Sequence, residues 1–196
     1  SQWTVKVREG ISFHDGTPLN AEALQINFET QRADPLVGLA VKPFFPAENA
    51  TELIDDLTIQ YNLSEPNAQF PGTVSGQLGM IASPTWLAAA LVDPNLNQAP
   101  VGTGPFVFES RSQDSTTKFV RNDNWWGGEV YLDAIEFIPV TDPDTRNDLL
   151  LNGDLDALQT TNAASVGDLQ AEDGIQNIID ENGEESFAMI NTEVPP

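Results

Sequence analysis

The chain carries 30 aspartates and glutamates, one histidine and no cysteine. Any chemistry here must therefore come from carboxylates, hydroxyls, amides and aromatic rings. Carboxylates fall in near pairs at Asp55–Asp56, Asp142 and Asp144, Asp154 and Asp156, and Glu184–Glu185. Two carboxyl groups at a set separation can hydrolyse a glycosidic bond, one as acid and the other as base or nucleophile. At this acid density such pairs arise by chance, and none adjoins a recognisable catalytic motif. Asp142-Pro143-Asp144 opens like a calcium loop. Arg146 and Asn147 then occupy the fifth and sixth positions, where an oxygen ligand and a glycine belong, so an EF-hand fails. His14 stands beside Asp15 in Phe13-His14-Asp15-Gly16-Thr17-Pro18. Adjacent strand residues point to opposite faces, and a metal would want two or three further ligands, so His14 is read as structural. One histidine supports no Ser/His/Asp triad, and the lack of cysteine excludes disulfides and thiolate sites. No catalytic, cofactor-binding or metal-binding residue is assigned.

Two further motifs have a chemical and a structural reading. Gly102-Thr103-Gly104-Pro105 has the glycines of a phosphate cradle, but no Gly-Lys-Ser/Thr follows and a strand pattern comes next, not a helix. Trp125-Trp126, in Arg121-Asn122-Asp123-Asn124-Trp125-Trp126-Gly127, could stack on sugar rings if exposed, or bury its large apolar area in packing.

The formal net charge of −22 sets wider bounds. A phosphate backbone or an anionic membrane surface would be repelled, so nucleic-acid binding is excluded and membrane-surface binding disfavoured. Such charge favours a soluble monomer. With 40% hydrophobic residues the 196-residue chain can bury a core. The longest apolar run, Trp86 to Val92, is far short of a membrane span. No secretory signal pattern stands at the start. The chain begins within a strand-like pattern and ends at Pro195-Pro196, and is read as a piece of a longer protein.

The elements that would position these residues follow from periodicity. Trp3, Val5 and Val7 alternate with polar residues, as do Leu57, Ile59, Tyr61 and Leu63, predicting half-buried strands. Asp15-Gly16 marks a turn. Asn20 is the expected N-cap of a helix to about Gln31, with Glu22 in its first turn. Residues 34–50 read as irregular, Phe70 to Leu78 as a short helix, and Met80 to Ala82 as a short buried strand. Ser83-Pro84 opens another helical turn through Leu91. After a Pro/Asn/Gly-rich connector over 93–104, Phe106 to Glu109 and Thr117 to Arg121 read as a hairpin, with a strand at Ile135 to Phe137. Asp142 should cap a helix with Pro143 at its first position, stopped at Gly153. Leu155 to Leu158, Ile175 to Ile179 and Phe187 to Ile190 are strand candidates. Ser165 to Asp168 has capping-box spacing. The mixture predicts an α/β fold of mixed α+β kind.

Taken in order, Phe13 to Pro18 with Ala21-Glu22, the Gly102-Thr103-Gly104-Pro105-Phe106 run, Arg121 to Gly127, Asn152-Gly153-Asp154-Leu155-Asp156 and Asn191 to Pro196 resemble the bacterial extracellular solute-binding proteins of family 5, the peptide- and nickel-binding components of ABC importers. Trp125 stands where that family usually has Tyr. The resemblance implies a type II periplasmic-binding-protein-like fold, first lobe only. Residues 1–104 would be its peripheral subdomain and 105–196 its core subdomain, ending at the hinge to a second lobe. It further implies a binder and not an enzyme: an extracytoplasmic, periplasmic or cell-surface receptor, secreted or lipid-anchored. Such a receptor would capture a small solute, most plausibly a peptide, and deliver it to a membrane-embedded ABC permease without a cofactor. Loops at the carboxyl ends of strands bind ligands in open α/β sheets. By position after the Gly153–Asp156 motif, Gln159, Thr160 and Thr161 are the candidates to line the cleft. Two other readings stay open: an acidic carbohydrate-active enzyme or sugar-binding module, and the ligand-sensing module of a regulator.

Overall fold

A computed structural model describes residues 1–179. They form two compact units that divide between Pro139 and Val140. The first holds strands β1 (Gln2–Lys6), β2 (Thr51–Asp55), β3 (Thr58–Asn62), β4 (Phe106–Ser112), β5 (Thr116–Arg121) and β6 (Ala134–Phe137). Its helices are α1 (Ala21–Ala33), α2 (Val37–Val41), α3 (Phe70–Ser75) and α4 (Pro84–Ala90). The strands make two antiparallel sheets, ordered β1-β3-β2 and β4-β5-β6.

The alternation in β3 explains its central place. Ile59 and Tyr61 point one way into the core and pair across with Val5 and Trp3 of β1. On the other edge β2 adds Thr51 opposite Tyr61 and Leu53 opposite Ile59. Helix α1 covers this sheet with Ala21, Leu24 and Phe28. Phe28 meets Phe45 edge-on at 4.7 Å and Tyr61 at 5.5 Å. Trp3, Phe45 and Tyr61 all reach Phe70, which anchors α3. Such aromatic pairs add about 0.5–1.5 kcal/mol each beyond the area they bury. Burial alone pushes the Tyr61 phenol up to about 12, so it stays neutral.

Asn20 caps α1 as expected: its extended backbone lets Oδ1 accept from Ala23 N at 2.9 Å. The helix runs two residues past Gln31 and ends at Asp34-Pro35, since the residue before proline avoids the helical region. Asp34 then accepts from Leu36 N and Val37 N, both at 2.8 Å. These bonds start α2 within residues 34–50, where sequence predicted only irregular chain. Strand β2 was likewise not expected. Its Glu52, Leu53 and Ile54 are exposed, so it lacks the alternation that reveals a strand, and its partner β3 decides its form.

Among the described residues, three predicted strands are not found. Ala82 has both its N–H and its C=O taken by the Asn27 amide, each at 2.8 Å, so a side chain stands where a strand would pair; Met80 is exposed. Leu155 to Leu158 has no regular structure among the described residues, with a bend at Asp156. Its start is consumed in closing a helix. In the second unit α5 (Pro143–Leu151) ends at Gly153, whose φ is +80°, and Asp154 N and Leu155 N both donate to Leu149 O. Among the described residues Ile175 to Ile179 has no strand partner either, and Ile178 and Ile179 are exposed. Helix α6 (Ala163–Gln170) is capped by Asn162 and not by Ser165. Ser165 lies at the third helical position, buried, and donates its N–H to Asn162 Oδ1 at 3.0 Å. The candidates Phe187–Ile190 and Asn191–Pro196 lie outside the described residues. Among the described residues no helix is long and apolar enough to cross a membrane.

Candidate functional site

Gln159, Thr160 and Thr161 lie in the irregular stretch between α5 and α6. With Thr141, Pro143, Arg146 and Asn162 they line an open pocket of about 560 Å³. Local sequence builds this arrangement. Asp142 accepts from Thr145 N at 2.8 Å and from Thr145 Oγ1 at 2.7 Å, with Pro143 fixing the first helical turn. The Thr145 hydroxyl and then its N–H hold the Asp142 carboxyl below its usual range, outweighing slight burial; the Arg146 charge adds to this. One turn of helix therefore presents Arg146 beside the loop. Its Nη1 donates to Val140 O at 2.9 Å and its Nη2 to Thr160 Oγ1 at 3.2 Å, while Nε is buried without a partner. Thr160 Oγ1 also accepts from Asn162 N at 3.1 Å, which turns the chain into α6. Gln159 and Thr160 further line a second cavity of about 510 Å³, whose walls include Leu150, Leu158, Val166 and Leu169.

The structure thus brings all three candidates to one pocket. It adds Arg146, Asn162 and Thr141, which sequence reasoning did not select. Two signals pointed there: Arg146 is the single base between residues 140 and 196, and asparagine is a favoured helix cap. The lining offers hydroxyls, amides and one guanidinium, groups suited to recognition by hydrogen bonding. Among the described residues no cluster of three or more His, Asp or Glu could hold a metal ion.

Three of the motifs that carry the family resemblance, Phe13 to Pro18, Gly102 to Phe106 and Arg121 to Gly127, meet elsewhere, in the first unit, around the carbonyls of Val101 to Pro105. Ser83 N donates to Val101 O at 3.0 Å, and His14 N to Gly102 O at 2.9 Å. The Trp126 indole donates to Thr103 O at 3.1 Å. Gly104 O receives Asn122 Nδ2 at 3.1 Å and faces His14 Nε2 at 3.0 Å. Asn122 N donates to Pro105 O at 2.8 Å. A phosphate cradle needs backbone N–H groups aimed at the anion. Here five successive carbonyls are accepting instead, so the run is a seam joining three motifs. His14 serves in it as a staple.

Trp125 is partly buried, and Trp126, tied to this seam through its indole, is 45% exposed. The Arg8 guanidinium lies 4.9 Å over the Trp126 ring, a cation–π contact. Gly127 is required beside it, because a Cβ there would stand 2.3 Å from the Trp125 ring. Asp15 ties the turn to α4: Ser83 Oγ donates to its Oδ2 and Thr17 N to its Oδ1. Burial pushes the Asp15 carboxyl up, but the Ser83 and Thr17 hydrogen bonds outweigh it, and the group sits below its ordinary value. Two of the paired carboxylates serve a turn and a cap. Asp55 accepts from Leu57 N in the β2–β3 turn, and Asp142 caps α5. Glu184 and Glu185 lie outside the described residues.

Comparison with known proteins gives a consistent family. The family described as bacterial extracellular solute-binding proteins, family 5 Middle, matches residues 1–196. The glutathione-binding protein GsiB of Pectobacterium atrosepticum is 32% identical over 153 residues, covering 78% of this chain and 29% of that protein. Heme-binding protein A of Haemophilus influenzae is 28% identical over 214 residues, covering 99% of this chain and 39% of its own length. The crystal structure of a nickel ABC transporter from Bacillus halodurans superposes with a TM-score of 0.71 at 28% identity, over 88% of this chain and 34% of that one. The chain therefore spans 29% to 39% of these three proteins. The mixed helix-and-strand fold is that of periplasmic binding proteins, of which the chain makes about a third. Matched from end to end, this chain belongs to the bacterial extracellular solute-binding proteins of family 5.

Proposed function

We propose that the complete protein is the solute receptor of an ABC importer, that its solute is a peptide, and that Gln159, Thr160 and Thr161 line the binding cleft. The observation that carries this reading is the family match over the whole chain together with a polar pocket formed by those three residues. Glutathione is itself a tripeptide, and the relative named for binding it is 32% identical to this chain. In this reading the protein works outside the cytoplasm, in the periplasm or tethered to the cell surface by a lipid, and hands its cargo to a membrane-embedded permease as a monomer. Residues 1–104 and 105–196 are the peripheral and core subdomains of its first lobe. Its act is capture by closure around the solute, with no bond made or broken.

Calorimetry on the complete protein tests the proposal, with alanyl-alanine and glutathione as probes. Binding is expected, weakened tenfold or more by Thr161→Trp, which fills the pocket. Unchanged affinity in that variant removes the loop from the cleft. Turnover of a glycoside by the wild-type protein, abolished by one Asp or Glu substitution, overturns the reading as a receptor.

A further inference from the structure

Residues 140–196 contain thirteen acidic residues and a single base, Arg146. A half-buried arginine in such surroundings would be expected to pair with a carboxylate, since an uncompensated charge away from water is costly. Among the described residues it does not: no carboxylate stands within ion-pair distance of its guanidinium. Asp142, four residues earlier, feels its charge only as a weak pull and is itself occupied by Thr145. Arg146 instead donates to two neutral oxygens, Val140 O and Thr160 Oγ1. Those bonds fix the guanidinium plane at the wall of the pocket, leaving further donors on both terminal nitrogens. The rest of the lining (Thr141, Pro143, Gln159, Thr160, Thr161 and Asn162) is neutral.

A positive charge held in place, flanked by hydroxyl and amide groups and with no carboxylate at ion-pair distance among the described residues, is the complement of a carboxylate. Arginine is suited to this because its planar fork matches the two carboxylate oxygens. We infer that the Thr141–Asn162 pocket is a carboxylate subsite with Arg146 as its charge partner, so that the solute presents a free carboxylate to this loop. The inference rests on the reading of the loop as part of the binding cleft and names the chemistry recognised there. It also accounts for how so acidic a protein can take an anionic group: the single base of this region is placed in the pocket.

The test uses the complete receptor, titrated with alanyl-alanine and with its C-terminal amide, in wild type, Arg146→Gln and Arg146→Lys. The wild type should prefer the free acid about tenfold, the order expected of a charge-assisted contact in a partly desolvated site. Arg146→Gln should abolish that preference, so that acid and amide bind alike. Arg146→Lys, which keeps the charge and loses the fork, should retain part of it. A preference that survives in Arg146→Gln, or a wild type that does not discriminate, overturns the inference while leaving the peptide receptor standing. If Arg146→Gln does not fold, the 15Nε signal of Arg146 in the wild type decides: it should shift on saturation with the dipeptide, and an unmoved signal overturns the proposal. If neither peptide probe binds, the peptide reading falls. Succinate is then the probe: a shift of the same guanidinium signal supports the subsite, and its absence removes it.

Discussion

The first unit contains two sheets of the same size and the same antiparallel pairing, and they are built on different terms. In the β1-β3-β2 sheet the central strand buries Thr58, Ile59 and Tyr61 beneath Phe28 of α1. In the β4-β5-β6 sheet no residue is fully buried. Yet Phe108 and Phe119 pack edge-on at 5.8 Å, and Phe119 and Phe137 at 5.9 Å. Phe119 stands opposite Phe108 on one side and Ile135 on the other, so one face of this sheet is apolar and aromatic. Phe137 on that face is 59% exposed. The lesson is that pairing and propensity suffice to shape a sheet, while burial decides how much stability it holds. The functional motifs follow the same division. The carbonyl seam uses its polar groups to join loops, and the hydrophobic core lies under the first sheet.

The comparison breaks most sharply with a matched pair of aromatic truncations. Phe28→Ala should cost about 3–5 kcal/mol in urea unfolding, as deletion of a buried ring does. Phe119→Ala should cost about 1–2 kcal/mol, because its half-exposed ring forfeits less apolar area. Equal losses would show the second sheet to be as tightly packed as the first.

A second pair contrasts polar groups. Asn27 is 3% exposed and its amide satisfies Ala23 O as well as both backbone groups of Ala82. Asn27→Leu should therefore destabilise by about 1–3 kcal/mol, the cost of leaving buried donors and acceptors unmet. Arg121, which pairs with Asp123 and Asp133 at the surface of the second sheet, should be replaceable by glutamine without a measurable change in stability. A larger loss at Arg121 than at Asn27 would invert the ranking of the two sheets.

The smallest effect is in acid. Asp15 sits below the ordinary value of 3.8 when folded, so the unfolded chain binds its proton first as pH falls. Its contribution is present above about pH 4 and is lost as pH drops through the lower folded value. Asp15→Asn should flatten the acid limb of a stability–pH curve and leave the neutral limb's slope unchanged. Ser83→Ala should shift the limb the same way, because Ser83 Oγ–H is one of the bonds that hold Asp15 ionised. An unaltered acid limb in both variants would show that the Asp15–Ser83 tie does not stabilise the seam.

Sequence alone determined the elements whose signals are local. Asn20 and Asp142 were legible as helix caps, because capping needs only a side-chain oxygen a few residues from a free N–H. The strands β1 and β3 and the β4–β5 hairpin showed in alternation, since one face of each meets apolar neighbours. Gly153 was legible as a stop because its conformation favours glycine. The family order of the motifs placed Gln159, Thr160 and Thr161, which now share one pocket. The tertiary structure alone decided what depends on a distant partner. Strand β2 exists because β3 offers it an edge, and Ala82 is no strand because Asn27 takes its backbone groups. His14 and Trp126 meet the same seam although 112 positions separate them. Arg146 became visible as a pocket residue only once α5 had turned it toward Thr160. Hydrogen bonds across long sequence separations leave no periodic trace, and so no reading of the chain by itself could have found them.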